Sequence, residues 1–413
     1  MEQTEVVVVG GGQAGLATSR CLAERGVDHV VLERGRVGET WRHRWDSFCL
    51  VTPNWTVQLP SSPYRGSDPD GFMPRDEIVA YLENYASEGA APIRLGVEVL
   101  AVERRNDLFQ IKTSDGEFRA PAIVLATGAY QRPHRPAVSA GLSPSIYQID
   151  VDTYRNPHDL PSGPVLVVGS GQSGCQVAEE LSEAGRRVVL ACGRAPWGPR
   201  RIAGKDLLWW ATEDGFLDQT VDQLASPDDR LFANVLTTGK GGGHDLHLRT
   251  LRRLGVELAG HLVGVEGSRA RFRPDLSQTV AWGDERYRKL VEDFYAHAAA
   301  HAIDVEPLPE PEPITDDGPE MLDLNGFGAV IFASGFRPDY GPLVPWAGAL
   351  DASGFPVQTD GASTVIPGLY FVGAHFLRKR KSSLLIGVGE DAEIVAAAIA
   401  DAFHRKGTAH QQL

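Results

Sequence analysis

Two glycine-rich motifs of the sequence have the residue types and the spacing that bind phosphate groups. The first Gly-x-Gly-x-x-Gly occupies residues 10–15 and follows the apolar run 5–9, and the second occupies residues 169–174 after the run 164–168. A strand is predicted before each motif and a helix after it, which is the context in which this motif binds a dinucleotide. There the glycines let the backbone approach a pyrophosphate, and the helix N-terminus supplies free N–H groups. The motifs therefore predict two dinucleotide-binding units.

The residue that ends the next strand differs between the two units. In the first unit it is Glu33, whose carboxylate can accept both hydroxyl groups of an adenosine ribose. The same spacing in the second unit leads to Cys192, and three arginines follow it: Arg194, Arg200 and Arg201. Because a guanidinium pairs with a 2′-phosphate that a carboxylate would repel, the first unit suits an unphosphorylated adenine dinucleotide and the second suits NADPH. The alternative, that these arginines are ordinary surface charges, stays open.

The elements that must position these residues are repeated along the chain. A helix is predicted after each motif and ends at a glycine, Gly26 or Gly185, which suits a left-handed C-cap. A β-meander follows each unit, and a buried strand then ends in a small-residue turn, at Gly128 in the first copy and at Gly335 in the second. We therefore predict an α/β fold with two Rossmann-like dinucleotide-binding domains.

The composition excludes several other classes of protein. The 413 residues are 42% hydrophobic and 23% charged, which predicts an ordinary globular chain of two or three domains. A net charge of −14 argues against nucleic acid as a partner. No apolar run is long enough to span a bilayer and the N-terminus does not resemble a signal peptide, so we predict no membrane partner and a cytoplasmic location.

Cysteine and histidine patterns predict neither a dithiol nor a metal site. The four cysteines include no C-x-x-C and are expected to be buried apolar residues. Two histidine pairs have helical spacing but lack a third ligand nearby: His297 with His301, and His244 with His247. We predict that the protein binds no metal.

Taken together, these features resemble the class B flavin-dependent monooxygenases, flavoproteins of the flavin-containing monooxygenase type that use FAD and NADPH. The resemblance also rests on the stretch 38–42, Gly-Glu-Thr-Trp-Arg, on the stretch 50–55, and on the stretch 367–373, Pro-Gly-Leu-Tyr-Phe-Val-Gly. It implies that residues 1–158 and 325–413 form a discontinuous FAD-binding domain. The NADPH-binding domain, residues 159–324 with a helical insertion, is inserted between them.

The motifs and the resemblance together predict the cofactor-binding residues. For FAD these are Gly10, Gly12, Gln13, Ala14, Gly15, Glu33, Arg34, Thr40, Trp41, Arg42, Thr127, Gly128, Gly373 and Gly387. For NADPH they are Gly169, Gly171, Gln172, Ser173, Gly174, Arg194, Arg200, Arg201, Ser334 and Gly335.

Two further features have open interpretations. The resemblance implies that Asn54 is catalytic and supports the oxygenated flavin, whereas the alternative is that Asn54 caps a turn after Pro53. The basic run 378–381, Arg-Lys-Arg-Lys, either forms a solvated face or neutralises a cofactor phosphate or a substrate carboxylate.

Departures from the family pattern mark this chain as an outlying branch. Asp150 stands where the signature between the two nucleotide units has a histidine, which weakens the case for Baeyer–Villiger chemistry. Disulfide reductases share the domain order but need a C-x-x-C, and they carry Gly-Asp where this chain has Gly373-Ala374.

The expected function is therefore an NADPH- and FAD-dependent monooxygenase. The resemblance implies that reduced FAD forms a C4a-(hydro)peroxyflavin with O2 and transfers one oxygen atom to a small soluble metabolite, with N- or S-oxygenation favoured. The alternatives are an NADPH-dependent flavin dehydrogenase or oxidase, and a redox-sensing flavoprotein. We expect a small-molecule substrate and O2 as partners and leave a homo-oligomer open.

Overall fold

The computed structural model describes residues 1–232 and 234–410 of the chain. The helices are α1 (Gln13–Glu24), α2 (Glu39–Arg42), α3 (Arg75–Glu88), α4 (Gln172–Glu183), α5 (Leu207–Glu213), α6 (Leu248–Arg253), α7 (Leu276–Ala300) and α8 (Val388–His410). The strands are β1 (Glu2–Gln3), β2 (Val6–Val9), β3 (His29–Glu33), β4 (Gln58–Leu59), β5 (Ser62–Pro63), β6 (Ile93–Leu95), β7 (Val99–Arg105), β8 (Leu108–Thr113), β9 (Gly116–Ala120), β10 (Ala122–Leu125), β11 (Arg132–Pro133), β12 (Gln148–Asp150), β13 (Val165–Val168), β14 (Val188–Ala191), β15 (Arg201–Ile202), β16 (Lys205–Asp206), β17 (Glu257–Ala259), β18 (Leu262–Glu266), β19 (Arg269–Phe272), β20 (Met321–Asp323), β21 (Ala329–Phe332), β22 (Phe336–Arg337), β23 (Gln358–Thr359), β24 (Ala362–Ser363) and β25 (Leu369–Phe371).

The first large sheet has seven strands in the order β23-β24-β25-β10-β2-β3-β6. Its strands β25, β10, β2, β3 and β6 are parallel to one another. The four valines of β2 are buried, as expected for a strand covered on both faces of a parallel sheet. Helices α1 and α8 pack against each other, and a four-stranded sheet in the order β1-β9-β8-β7 completes this half of the molecule.

The second large sheet repeats this arrangement with five parallel strands. Their order is β12-β21-β13-β14-β17, and α4 follows β13 as α1 follows β2. A three-stranded antiparallel sheet, β18-β19-β20, takes the place of the first meander. The repeated strand–glycine loop–helix units of the sequence thus form the centres of two separate sheets.

The strand pairing locates the two points at which the chain passes between the sheets. β11 and β22 pair antiparallel with each other, and both crossings run through them. β12 and β21 pair within the second sheet, although the range 159–324 that we predicted for the second domain contains neither strand. Which sheet a strand joins depends on its hydrogen-bond partners rather than on its own residues. We therefore propose that the second domain extends from crossing to crossing, from about residue 134 to about residue 335.

Within the described parts of the chain, none of the helices combines the length and the apolar character that crossing a membrane requires.

Candidate active site

The two glycine motifs have the same backbone geometry. Gly10 has φ +111° and Gly169 has φ +106°, a region that favours glycine. A Cβ atom at Gly10 would lie 2.5 Å from the carbonyl oxygen of Ala126, and one at Gly169 would lie 2.6 Å from that of Ala333. In both units the glycine therefore lets the loop pass close to the neighbouring parallel strand.

The last glycine of each motif allows the helix to start against the loop. A Cβ atom at Gly15 would lie 1.8 Å from the carbonyl oxygen of Gly10, and one at Gly174 would lie 1.8 Å from that of Gly169. Any side chain at these positions would push the helix away from the turn. Because α1 and α4 start here, their free N–H groups lie beside the loops.

Gly12 marks the open side of the first loop. It has φ −86°, which any residue adopts, and a Cβ atom placed on it would meet nothing within 4 Å. The 4 Å around this Cβ position are thus free of other protein atoms, directly at the N-terminus of α1. A pyrophosphate group fits such a cradle, since only a residue without a side chain leaves it open.

Glu33 is held at the end of β3 by backbone N–H groups. Its Oε2 accepts a hydrogen bond from the N–H of Gly11 at 2.6 Å, and its Oε1 accepts one from the N–H of Gly35 at 2.7 Å. The side chain is 9% exposed. The carboxylate is therefore fixed beside the glycine loop, where an adenosine ribose would be bound.

Arg194 lies at the edge of a cavity in the second half of the molecule. The cavity has a volume of about 290 Å³ and is lined by Arg194, His261, Arg273, Asp275, Gln278 and Thr279. The Arg194 guanidinium also lies 5.9 Å from the ring of Trp282. Sequence reasoning missed Arg273, which follows β19 far along the chain and has no motif of its own. Asp275 lines the same cavity and pairs with Arg273 at 3.6 Å. Among the described residues, Arg194 is therefore the lining arginine without an acid within 4 Å, and it could pair with an anion.

The other two arginines predicted to bind NADPH are engaged elsewhere. Arg200 is 2% exposed, pairs with Asp206 at 2.7 Å and donates from Nη1 to the carbonyl oxygen of Val51 at 2.8 Å. Arg201 donates to the carbonyl oxygens of Gly242 and Gly243, at 2.9 and 3.2 Å. Arg200 does not line the cavity at Arg194, and its guanidinium is occupied by these partners, so the structure does not support the predicted role of Arg200 in binding NADPH.

The first motif, α2 and the C-terminal segment meet at Gln13. The Nε1–H of Trp41 donates to Oε1 of Gln13 at 3.0 Å, and Nε2 of Gln13 donates to the carbonyl oxygen of Ser383 at 2.8 Å. Gly373 has φ +81°, and a Cβ atom on it would lie 2.6 Å from the Cβ of Ala14. Three distant stretches of sequence are therefore brought together around the start of α1.

Gly387 lies immediately before the first residue of α8. A Cβ atom on it would lie 2.3 Å from the carbonyl oxygen of Lys381, so the basic run and the helix start are in contact at this glycine.

The remaining predicted residues line the loops or stabilise them. Gly128 and Gly335 have φ +83° and +86° at the ends of equivalent strands. Ser334 donates to the carbonyl oxygen of Val168 at 3.1 Å, and Thr127 accepts from Gln131 at 2.6 Å. Ser173 and Gly171 start α4, and Arg34 and Thr40 are exposed near the first loop.

Two of the predicted residues bind the protein itself. Arg42 donates to the carbonyl oxygen of Val37 at 3.2 Å and pairs with Glu83, so its charge joins α2 to α3. The side-chain amide of Gln172 bonds to the backbone of Thr237: the N–H of Thr237 donates to Oε1 of Gln172 at 3.1 Å, and Nε2 of Gln172 donates to the carbonyl oxygen of Thr237. Gln172 therefore holds the segment that precedes the glycines at 239–243.

Asn54 is 6% exposed, and both ends of its amide are occupied. Nδ2 donates to the carbonyl oxygen of Asp68 at 2.9 Å, and Oδ1 accepts from the N–H of Met73 at 2.7 Å. The amide thus holds the loop between Asn54 and Met73. This geometry gives Asn54 a structural role other than the turn cap after Pro53, and the occupied amide does not support the catalytic role that the resemblance implied.

A cluster of aromatic and basic residues that we did not predict lies at the junction of the two halves. The ring of Tyr130 packs edge-on against Phe336 and His375, with centroids 5.3 and 5.0 Å apart. The guanidinium of Arg44 lies 5.1 Å from the Tyr130 ring. His375 is 3.1 Å from the hydroxyl of Ser383, and burial lowers the pKa of His375 to about 4, so its ring is neutral near pH 7. Tyr130 and His375 each follow a predicted glycine by two residues, which is the only signal the sequence offers for them.

The basic run 378–381 is neither a solvated face nor a free anion site. Lys379 and Lys381 lie 2.7 and 3.1 Å from Asp218, in the segment between α5 and α6. Arg378 pairs with Asp360 at 2.9 Å and with Asp391 at 3.2 Å. These charges are therefore used to join the C-terminal segment to its neighbours.

Comparison with known proteins agrees with this arrangement. A family model described as pyridine nucleotide-disulphide oxidoreductase matches residues 7–208. A CzcO-like oxidoreductase of Geobacillus kaustophilus is 32% identical over 396 residues, covering 94% of this chain and 96% of that protein. The indole-3-pyruvate monooxygenase YUCCA1 of Oryza sativa subsp. japonica is 33% identical over 186 residues, covering 44% of this chain and 46% of that protein.

A solved structure shares the fold over nearly the full length. The flavin-containing monooxygenase of Stenotrophomonas maltophilia superimposes with a TM-score of 0.68 at 20% identity, covering 97% of this chain and 99% of that one. The predicted α/β fold of a flavoprotein with two dinucleotide-binding domains is confirmed, as are the predicted oxidoreductase class and the resemblance to flavin-dependent monooxygenases. The chain belongs to the same oxidoreductase family as the CzcO-like proteins.

Proposed function

We propose that this protein is an FAD- and NADPH-dependent monooxygenase that transfers one atom of O2 to a small-molecule substrate. N- or S-oxygenation is favoured over Baeyer–Villiger chemistry, because Asp150 stands at the signature histidine position and is engaged in a bidentate ion pair with Arg135. The observation that carries the proposal is the difference between the two dinucleotide units. Glu33 is fixed at the first loop, whereas Arg194, which has no acid partner within 4 Å among the described residues, borders the cavity of the second.

The residues of the first unit fit FAD. Gly12 leaves the loop open, Glu33 is placed for a ribose, and Gly373 lets the C-terminal strand approach Ala14. The second unit fits NADPH through Gly169, the start of α4 and the cavity at Arg194. Bound together, the two cofactors would supply hydride transfer to the flavin and its reaction with O2.

The chain itself would bind, orient and shield. The hydrogen bonds from Trp41 to Gln13 and from Gln13 to Ser383 fix the walls around the first loop. The N-terminus of α8 lies beside Gly373, since a Cβ atom there would be 4.0 Å from Cγ2 of Val388. Its positive end would stabilise negative charge at this position. Neutral His375 can hold a hydrogen bond near the same walls without adding charge.

The cysteines support oxygen chemistry over disulfide reduction. All four are free and buried: Cys21, Cys49, Cys175 and Cys192. Burial raises the pKa of the thiols of Cys49, Cys175 and Cys192, and raises that of Cys21 to about 12. A reductase needs a reactive thiolate, and these thiols would stay protonated. The cytoplasmic location and a homo-oligomeric state remain predictions.

The test measures where the electrons of NADPH go. The FAD-loaded protein is mixed with NADPH and O2 in the presence of a panel of amines, sulfides and ketones, and NADPH consumption and hydrogen peroxide are followed together. A substrate should lower the peroxide formed per NADPH, and ¹⁸O2 should place one ¹⁸O atom in the product. Peroxide equal to NADPH with every compound would favour the oxidase alternative, and no reduction of the flavin by NADPH would refute the second site.

A further inference from the structure

Arg44 is a cation without an acidic partner at the junction of the two domains. Arg44 is half-buried, its buried Nε makes no hydrogen bond, and no carboxylate among the described residues lies within 4 Å of its guanidinium. The buried arginines Arg200 and Arg249 differ, since they pair closely with Asp206 and Asp284. Burying a guanidinium without an anion is unfavourable, so a ligand that supplies the anion would stabilise this site.

The carboxylate that influences Arg44, that of Asp152, does not contact it. Asp152 acts on Arg44 through space only, and its Oδ1 is likewise buried without a hydrogen bond. Burial raises the pKa of Asp152. Arg132 and Arg337 lie opposite each other in the paired crossing strands β11 and β22 and add positive charge to the same junction. The junction therefore carries a positive charge that no described acid balances by contact.

Two aromatic rings pack near the guanidinium of Arg44. Its guanidinium lies 5.1 Å from the ring of Tyr130 and 5.7 Å from that of Phe48. Tyr130 is 42% exposed, so its ring forms a wall that a ligand can reach, and Phe336 and His375 pack edge-on against it. A flat apolar group can pack against such rings while its charged end pairs with the guanidinium.

This cluster is connected to the flavin side of the molecule. Tyr130 contacts His375, the His375 ring lies 3.1 Å from the hydroxyl of Ser383, and the carbonyl oxygen of Ser383 accepts from Gln13 of the first glycine motif. Arg44 itself follows Trp41 closely, and its N–H donates to the Trp41 carbonyl oxygen at 3.0 Å. A ligand held by Arg44 would thus be bound at the side where the proposed flavin site opens toward the second domain.

We propose that Arg44 binds the carboxylate of the substrate and that Tyr130 covers its flat apolar part, so that the protein oxygenates organic acids. This inference rests on the proposed function, of which it names the substrate class. Neutral His375 adds no charge, and Arg44 is the cation that packs against the Tyr130 ring, so we expect Arg44 to contribute most to the preference for an acid over an uncharged analogue.

The test uses a matched pair of thioethers as probes. Binding of (phenylthio)acetate and of the isosteric, uncharged 2-(phenylthio)acetamide to the oxidised FAD-loaded protein is measured by calorimetry, without NADPH. The wild-type protein should bind the acid roughly tenfold or more tightly than the amide. Arg44→Gln should weaken binding of the acid roughly ten- to a hundredfold and that of the amide less than about twofold. Arg44→Lys keeps the charge and should retain part of the preference.

Two further variants separate recognition from folding. Arg104 also has a buried Nε without a partner and packs 5.8 Å from Phe109, but it lies on β7 in the first meander, so Arg104→Gln should leave both affinities unchanged. Tyr130→Ala should weaken binding of acid and amide alike, because it removes the shared wall. FAD content is measured for every variant.

Several outcomes would overturn the inference. These are a wild-type protein without preference for the acid, an equal loss of both ligands in Arg44→Gln, and a loss of NADP⁺ binding in place of acid binding. The last outcome would assign Arg44 to a cofactor phosphate. If acid binding follows the expectation while NADPH fails to reduce the flavin, the proposed function fails and the acid site stands. If NADPH and O2 react as expected without acid preference, only the acid site fails.

Discussion

A substitution at Gly12 tests FAD binding without disturbing the fold. The backbone conformation of Gly12 suits any amino acid, and a side chain on it would meet no protein atom within 4 Å. Gly12→Val should therefore fold with wild-type stability but purify without FAD, because its methyl groups would occupy the place of the pyrophosphate. Flavin absorbance per protein and thermal unfolding are measured together.

The matched control for this variant is Gly341→Val. Gly341 is equally open, with nothing within 4 Å of an added Cβ atom, and it lies outside both glycine motifs. It should keep its flavin. A yellow, fully loaded Gly12→Val protein would show that the pyrophosphate is not bound at this loop.

Arg194 is expected to distinguish NADPH from NADH. Arg194→Ala removes a charge-assisted contact worth about 1.5–3 kcal/mol, so NADPH should bind roughly ten- to a hundredfold more weakly while NADH changes little. Affinities follow from the rate of flavin reduction at increasing cofactor concentration. Arg201→Ala is the control, since Arg201 is held by the carbonyl oxygens of Gly242 and Gly243. An equal loss for both cofactors would contradict a role in reading the 2′-phosphate.

At the scale of the element, helix α6 begins at a histidine that must stay neutral. Nδ1 of His247 accepts from the N–H of Arg249 at 3.2 Å, and the ring is 7% exposed. Burial lowers the pKa of His247 to about 4, below its ordinary value of about 6.5. The unfolded chain therefore binds the proton more readily, and the stabilisation present above pH 6.5 is lost as the pH falls toward 4.

This histidine should contribute about 2 kcal/mol to the loss of stability between pH 7 and pH 5. His247→Asn keeps a side chain that caps helices and removes the titration. Urea unfolding of both proteins at the two pH values should show a smaller loss for the variant by that amount. Parallel pH profiles would mean that His247 titrates normally in the folded state.

At the scale of the whole molecule, Arg380 links the segment between α5 and α6 to the segment between β25 and α8. Its guanidinium carbon lies 4.2 and 4.8 Å from the ring centroids of Phe216 and Phe376. The backbone N–H of Arg380 donates to the carbonyl oxygen of Gln219 at 2.8 Å. Lys379 and Lys381 pair with Asp218 beside it. These contacts fix the position of the segment between α5 and α6 relative to the start of α8.

Arg380→Ala should release this contact while both sheets stay folded. Amide hydrogen exchange at residues 216–219 should become roughly tenfold faster, since about 1–2 kcal/mol of local stability is lost. Exchange in β2 and β13 should not change. Arg94→Ala is the control, because Arg94 packs 5.2 Å from Phe118 on the first meander. Exchange that is unchanged at 216–219, or equally faster in both variants, would contradict this role of Arg380.

The amino-acid sequence by itself determined the repeated architecture. Each unit is a local pattern of a strand, a glycine loop, a helix and a second strand that ends in an acidic or basic residue. Local backbone requirements decide this pattern. Gly10 and Gly169 need positive φ, and Gly15 and Gly174 have no room for a side chain. These properties depend on neighbours within a few residues. They can therefore be inferred from spacing alone.

The tertiary structure alone decided which side chains are available for chemistry. Arg200 and Asn54 are predicted site residues by their positions in the sequence. In the structure, Arg200 pairs with Asp206, and the amide of Asn54 bonds to the backbone of Asp68 and Met73. Whether a polar group is free depends on partners that the fold brings from elsewhere, and spacing carries no information on those partners. The same long-range packing places Arg44, Tyr130 and His375, from three separate stretches of the chain, around one junction.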